Sequence, residues 1–316
     1  MDEKLHIPAK NQLCLQTHKN LLLIYIGSPS PHAARAIFYT YILMTQTKSA
    51  AEITVDIYKR NNVTIKGSGA VAMMFVHGFG CDQNMWRFVA PAFEDSYQTI
   101  LFDHVGAGHS NLTAYSKSKY ETLDGYADDI IEIAQALGLK DAIFVGHSVS
   151  AMMGIIAAQK APGLFSKLVL VGPSPSYIDD GEYVGGFSRE QIEELLLSMD
   201  NNHMGWSMAM APVIMGNPDR KELSTELTNS FCRTNPEIAK QFARTTFLSD
   251  SRDIVGHVNI PTLILQCSED VIAPEQVGNY LHDRIQNSQL VKMAATGHCP
   301  NLSAPQETIH AIKAFL

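Results

Sequence analysis

No run of basic residues occurs in this sequence. Lys and Arg number 24 against 32 Asp and Glu, a formal net charge of −8 over 316 residues, so the electrostatic footprint of a nucleic-acid binder is missing. Also missing is any stretch of the roughly 20 apolar residues that cross a bilayer. "LLLIYI" (21–26) breaks at "GSPSP", and "AIFYTYILM" (36–44) is again too short, so no membrane span or anchor is expected. The cysteines are few and scattered: Cys14, Cys81, Cys232, Cys267 and Cys299, an odd number with no close pairing. This excludes a disulfide framework and favours a reducing cytoplasm. His298 beside Cys299, with Cys267 upstream, matches no familiar zinc spacing, so no metal is expected. Nothing in the sequence implies an organic cofactor.

What is present suits a folded enzyme-sized domain. The composition is 46% hydrophobic and 18% charged, ample for a full core. Residues 1–52 stand apart as an extension expected to be poorly ordered. Asp2 and Glu3 at its front argue against an organelle transit peptide, and Met44 opens "MTQTKSAAEI" as a credible start, so the native chain is expected to begin near it.

From Ile53 the pattern becomes regular. "ITVDIY" alternates and "NVTIKGSG" ends in glycines, which predicts a leading antiparallel pair. Six apolar runs follow: "VAMMFV", "QTILFD", "AIFVG", "KLVLVG", "TLILQC" and "QLVKM". Most are too continuous to have a wet face and read as parallel strands buried on both sides. Segments of helical period such as "LDGYADDIIEIAQALG" and "APEQVGNYLHDRI" lie between them, so residues 53–316 are expected to form an α/β, mostly parallel, doubly wound sheet. Between Gly172 and Thr262 the alternation lapses into helix. An insertion of that length after the sixth expected strand predicts a helical cap over a site, at about residues 176–252.

Ser148 lies in "GHSVS", between the strand "AIFVG" and the helix "SAMMGIIAAQKA", which is where a nucleophile elbow belongs. The pattern G-x-S-x-G has its last glycine replaced by Ser150, whose side chain must still fit against a neighbouring strand. A serine hydroxyl needs a base, and the base an orienting acid. His298 in "ATGHCPNLSAP" follows the last expected strand and precedes the last helix; His104, His147 and His257 lack that combination. The acid should follow "TLILQC", where "SED" offers Glu269 or Asp270, and spacing alone does not separate them. Either choice gives the chain order Ser, acid, His. Two backbone N–H groups are needed for the oxyanion, and the candidates are Val149, directly after the serine, and Phe79 in "HGFGCDQNMW" after the strand "VAMMFV".

"GFGCDQNMW", "AGHS", "TLDGYADD", "FVGHSVSAMM", "VGPSPSYI", "LILQCSEDVIAP" and "GHCPNLSAP" together resemble the RsbQ-like α/β-hydrolases, positive regulators of the sigma-factor-B general stress response. Plant karrikin and strigolactone receptors share that lineage. The resemblance implies the α/β-hydrolase fold, selects Asp270 as the acid and accommodates Ser150, since the same elbow occurs in those receptors. It further implies a small, mostly aromatic pocket under a four-helix cap, with Phe79, Phe187, Trp206 and Phe247 at the matching positions for a small hydrophobic substrate. The RsbQ system also implies a PAS-containing protein phosphatase as partner. Three readings follow: a serine hydrolase of small apolar esters or lactones with a stress-regulatory output, a ligand-binding signalling module for such a phosphatase, or a purely metabolic carboxylesterase. Dehalogenase and epoxide-hydrolase chemistry needs an aspartate at the elbow, which Ser148 excludes.

Overall fold

The computed structural model describes residues 12–16, 21–25 and 56–316. It divides into a unit of residues 1–52 and a unit of residues 53–316. In the first, strands β1 (Gln12–Gln16) and β2 (Leu21–Tyr25) pair antiparallel. The rest of the expected loose extension, and the expected start at Met44, lie outside the described residues.

The second unit is built on a sheet of seven strands: β3 (Thr64–Lys66), β4 (Val71–Val76), β5 (Tyr97–Phe102), β6 (Ala142–His147), β7 (Phe165–Val171), β8 (Thr262–Glu269) and β9 (Ser288–Thr296). They lie in the order β3-β5-β4-β6-β7-β8-β9. All pairings are parallel except that of β3 with β5. Side chains alternate between the two faces, as a strand dictates. Met73, Phe75, Val145 and Val169 join one core, while Met74, Val76, Phe144 and Leu168 join the other. Both faces are therefore covered, which is why these strands read as continuous apolar runs.

Helices α1 (Leu123–Ala136) and α2 (Val149–Lys160) cover the second face. The stripe Leu123, Tyr126, Ala127, Ile130, Ile133 and Ala134 buries α1.

One expectation fails at the edge. Residues 56–60 of the "ITVDIY" stretch and its continuation are helical, and the remaining member of the expected pair, β3, bonds to β5 instead. The cap insertion accordingly follows the fifth strand of this sheet. Residues 56–60 take the helix while β3 stands at the end of the sheet, paired only with β5; a short alternating stretch is a weak strand signal that tertiary context overrides.

The insertion carries α3 (Arg189–Asn201), α4 (His203–Met215), α5 (Lys221–Arg233) and α6 (Pro236–Phe247). Ser188 and Gln191 form a reciprocal capping box at the start of α3, and Asn235 caps α6 ahead of Pro236. The two ends of the insertion are tied together: Ser176 bridges Asp250, and the Ser251 N–H donates to the Pro175 carbonyl at 2.7 Å. After a short helix α7 (Arg252–Val255) the chain enters β8, then α8 (Glu275–Arg284) and β9, and ends in α9 (Pro300–Ser303) and α10 (Pro305–Phe315). No helix among the described residues is long and apolar enough to cross a membrane.

The position of a site follows from the strand order. From β4 the chain goes first to β5 on one side and then crosses to β6 on the other. The carboxyl ends of β4 and β6 thus flank a topological switch point, where open α/β sheets leave a crevice.

Candidate active site

Ser148 occupies the single residue between β6 and α2, with φ 57° and ψ −129°. That is a left-handed backbone on a residue with a Cβ, a strained conformation of the kind found at functional turns. It is held from both sides. The Ser148 N–H donates to the Val171 carbonyl at 2.8 Å, and the Ser148 carbonyl accepts from the Ala151 N–H at 2.9 Å. The turn also needs room. A Cβ on Gly78 would fall 2.8 Å from His147 Nδ1 and 3.0 Å from the Ser148 Cβ, so only glycine lets the loop after β4 pass this close.

Ser150, in place of the expected glycine, fits because its hydroxyl has work to do. It donates to the His77 carbonyl at 2.5 Å, and His104 Nε2 approaches it at 2.9 Å. His77 is fixed in turn: its Nδ1–H donates to the Gly78 carbonyl at 2.9 Å, and its Nε2 accepts from the His104 N–H at 3.0 Å. The substitution therefore ties the elbow helix to the loop after β4.

His298 stands in the loop after β9. Its Nε2 lies 2.7 Å from Ser148 Oγ and its Nδ1 lies 2.7 Å from Asp270 Oδ2. With Nδ1–H donating to the carboxylate, Nε2 is left to accept from the serine hydroxyl. The second oxygen of Asp270 accepts from the N–H groups of Ile272 at 2.9 Å and Ala273 at 3.0 Å, so both carboxylate oxygens are engaged. Glu269, its neighbour at the end of β8, is exposed. Of the two acids that spacing left open, Asp270 is the one brought to His298.

The His298 loop is stitched to the cap. The His298 N–H donates to the Ile214 carbonyl of α4 at 2.9 Å, and Asn217 Nδ2 donates to the carbonyls of Met215 and Thr296. Gly297 has φ +76°, and a Cβ there would sit 1.9 Å from the Met215 carbonyl oxygen. His147, the residue before the serine, donates through Nε2 to the His298 carbonyl at 2.8 Å. Sequence reasoning passed over His147; its position next to the elbow was the only signal.

Burial keeps three histidines of this region neutral. Desolvation lowers the pKa of His77 and takes that of His104 well below the ordinary value. Desolvation, then the adjacent His298, holds that of His147 down at about 3. Because the unfolded chain binds protons at these positions below about pH 6.5 and the native state does not, their contribution to stability is present above that pH and lost as pH falls. The urea midpoint is expected to fall between pH 7 and pH 5, as the unfolding free energy drops by up to about 1.4 kcal/mol per pH unit for each histidine protonated only when unfolded. A midpoint constant across that window would show that these rings are not held neutral in the native state.

Ser148 and His298 open into a cavity of about 30 Å³. Phe79, Cys81 and Cys299 line it from the sheet edge together with Ile272. The cap contributes Ile214 of α4, Leu227 and Phe231 of α5, and Thr246 and Phe247 of α6, with Tyr177 from the neck. Phe79 is the hub of an aromatic cluster, its ring centroid 5.7 Å from Phe231, 5.9 Å from Phe247 and 6.2 Å from Trp206.

Of the four aromatic positions expected at the pocket, Phe79 and Phe247 line it. Trp206 packs behind Phe231, and with Phe187 it lines a separate shallow groove beside Gln191 and Ser198. Tyr177, Phe231 and Thr246 were not anticipated. Phe231 could have been, because Leu223, Leu227 and Phe231 repeat at i, i+4 and i+8 on one face of α5. The Phe79 loop and the first turn of α2, which begins with Val149, both border the serine. An N-terminal helical turn leaves its first N–H groups without partners in the helix.

Among the described residues no group of three or more His, Cys, Asp or Glu side chains is placed to hold a metal ion. Chemically, a hydroxyl, an imidazole and a carboxylate in one hydrogen-bonded line can pass a proton from the hydroxyl to the imidazole and stabilise the charge that results.

Residues 71–305 match the family described as the alpha/beta hydrolase fold. A strigolactone esterase of Pisum sativum is 39% identical over 257 residues, covering 81% of this chain and 96% of that protein. The karrikin insensitive 2 receptor CA of Petunia hybrida is 37% identical over 254 residues, covering 80% of this chain and 94% of its own length. Among solved structures, a hydrolase from Oleispira antarctica superposes with a TM-score of 0.81 at 41% identity, covering 83% of this chain and 96% of that one.

Proposed function

The chain belongs to the α/β-hydrolase family, and on that premise we propose that it is a serine hydrolase of small carboxylic esters or lactones. The observation that carries the reading is the unbroken line from Asp270 through His298 to Ser148, two contacts of 2.7 Å each, ending on a strained turn beside a small, mainly apolar cavity. In the proposed mechanism Ser148 Oγ attacks the acyl carbon while His298 Nε2 takes its proton, and Asp270 stabilises the imidazolium. The N–H groups of Phe79 and Val149 receive the tetrahedral oxygen. Collapse returns the proton to the leaving alkoxide and leaves an acyl-serine. Water, deprotonated by His298, then releases the acid. With a lactone the alcohol and the acid remain in one molecule.

The size of the cavity bears on the substrate. A water needs roughly 10–15 Å³ of comparable volume, so this cavity suits a short acyl group and a long one requires the cap to move. Activity on a series of methyl esters is expected to peak at two to four acyl carbons and to fall by on the order of 10²-fold at eight, each methylene without a place in so small a site opposing binding. A series rising steadily to eight carbons would contradict the small-cavity reading. Peptide mass spectrometry after exposure to a small phosphonate ester tests the nucleophile directly: a single adduct is expected on Ser148, and an adduct elsewhere in its place would reject the mechanism.

A second reading, that hydrolysis serves signalling in the cytoplasm through a phosphatase partner as in RsbQ-like systems, draws on one specific observation. Leu197, Met204, Met208 and Val213 expose apolar side chains on cap helices α3 and α4, which a docked partner would cover. In the host, deletion of the gene and Ser148→Ala are both expected to abolish activation of a general stress reporter. Full activation in the Ser148→Ala strain would reject signalling that depends on catalysis.

A further inference from the structure

Thr246 is 1% exposed, lines the cavity that Ser148 opens into, and its Oγ1 has no hydrogen-bond partner. A helical threonine ordinarily satisfies its hydroxyl on the carbonyl one turn back, which here would be that of Phe242. The neighbouring Thr245 finds the Tyr120 carbonyl at 3.0 Å, and the Thr246 carbonyl accepts from Ser249 Oγ at 2.7 Å. Thr246 Oγ1 stays unpaired in a cavity lined mainly by apolar side chains such as Phe79, Phe231 and Phe247, with Tyr177 as the other hydroxyl there that has no partner. A buried hydroxyl left unpaired in apolar surroundings is costly to keep unless something in its reach completes it.

Resting on the hydrolase reading above, we infer that Thr246 is a specificity residue whose hydroxyl bonds to an oxygen atom in the acyl part of the substrate. The substrate is then an oxygenated acyl compound, carrying an ether, hydroxyl or second carbonyl oxygen close to the reacting ester, and not a plain hydrocarbon ester. Ser148 and Thr246 border one cavity of about 30 Å³, so a single short acyl group reaches both. A site built to pair such an oxygen rejects the analogue that lacks it, because the hydroxyl is then left buried without a partner.

Methyl methoxyacetate and methyl butyrate form a matched probe pair, since the first replaces one methylene of the second by an ether oxygen. Each variant is compared by the ratio of kcat/KM on the two esters, which cancels any general damage. Thr246→Val, which keeps the shape and removes the hydroxyl, is expected to lower the methoxyacetate-to-butyrate ratio about tenfold, and Thr246→Ser to restore it. A ratio unchanged in Thr246→Val overturns the inference, as does loss of the ratio in Thr246→Ser. The same comparison is made without turnover by ligand-observed NMR titration of both esters on Ser148→Ala and on Ser148→Ala with Thr246→Val. Tighter binding of the methoxyacetate that vanishes with Thr246→Val supports the contact, and equal affinities in both proteins overturn it. If the wild type cleaves neither ester, the hydrolase reading fails while the titration still decides the role of Thr246.

Discussion

Ser148→Ala is expected to lower kcat/KM on short esters by on the order of 10³-fold or more while leaving the fold intact, since the proposed mechanism has no other nucleophile. The structural side of the expectation is as specific as the kinetic one. The left-handed backbone of Ser148, φ 57°, is imposed by β6, α2 and the bond to the Val171 carbonyl, not by the hydroxyl. Alanine inherits that strain. Glycine does not, so Ser148→Gly should be about as inactive as Ser148→Ala yet about 1 kcal/mol more stable, the release of a positive-φ residue exceeding the chain entropy of glycine. Thermal melts of the two variants together with ester kinetics check both halves. Retention of more than about a tenth of the activity in Ser148→Ala would remove the nucleophile assignment, a loss far below what such residues contribute. Glycine proving less stable than alanine would show that the turn is not strained.

The elbow was legible because it is a local feature. Strand, small-residue turn and helix succeed one another within twenty residues, and the continuous apolar runs announced a sheet buried on both faces. His298 was legible by its place after the last strand. The choice between Glu269 and Asp270 was not, since adjacent residues at a strand end point to opposite sides, and which side faces the histidine depends on the register of β8 against β9 and the irregularity between Cys267 and Glu269. The resemblance chose Asp270, which is also the carboxylate 2.7 Å from His298 Nδ1.

Of the cap aromatics, Phe247 lines the cavity while Phe187 and Trp206 do not, for a related reason. Helix α4 is apolar on nearly all sides: Trp206, Ala211, Ile214 and Met215 are buried while Met204, Met208 and Val213 are exposed. With no polar face the sequence does not say which side looks at the sheet. Trp206 was expected at the cavity, and Ile214, two turns further along the same helix, lines it instead. Where a helix is amphipathic, as α5 is, the inward face is readable and Phe231 lies on it. The stretch "ITVDIY" erred in the other direction, its short alternation being overridden by the tertiary context that makes residues 56–60 helical.

Asp270→Asn is expected to be nearly as damaging as loss of the serine, and the hydrogen bonds around the carboxylate say why. Oδ1 accepts from the N–H groups of Ile272 and Ala273, so an asparagine will keep its carbonyl oxygen there and turn its NH₂ toward His298. His298 Nδ1 then faces a donor and must accept, which moves the ring proton to Nε2. That nitrogen can no longer accept from Ser148 Oγ at 2.7 Å, and the base is lost with every heavy atom still in place. The expected fall in turnover is on the order of 10³- to 10⁴-fold, the consequence of a wrong tautomer rather than of a broken fold. Glu269→Gln should cost less than about tenfold, because an exposed side chain away from the imidazole changes little beyond a screened charge. The control is an unchanged melting temperature for Glu269→Gln and only a modest shift for Asp270→Asn, whose shape and backbone bonds are conserved. Should Glu269→Gln prove the more damaging of the two, the acid has been misassigned and His298 must be oriented in solution by a group other than the one 2.7 Å from its Nδ1.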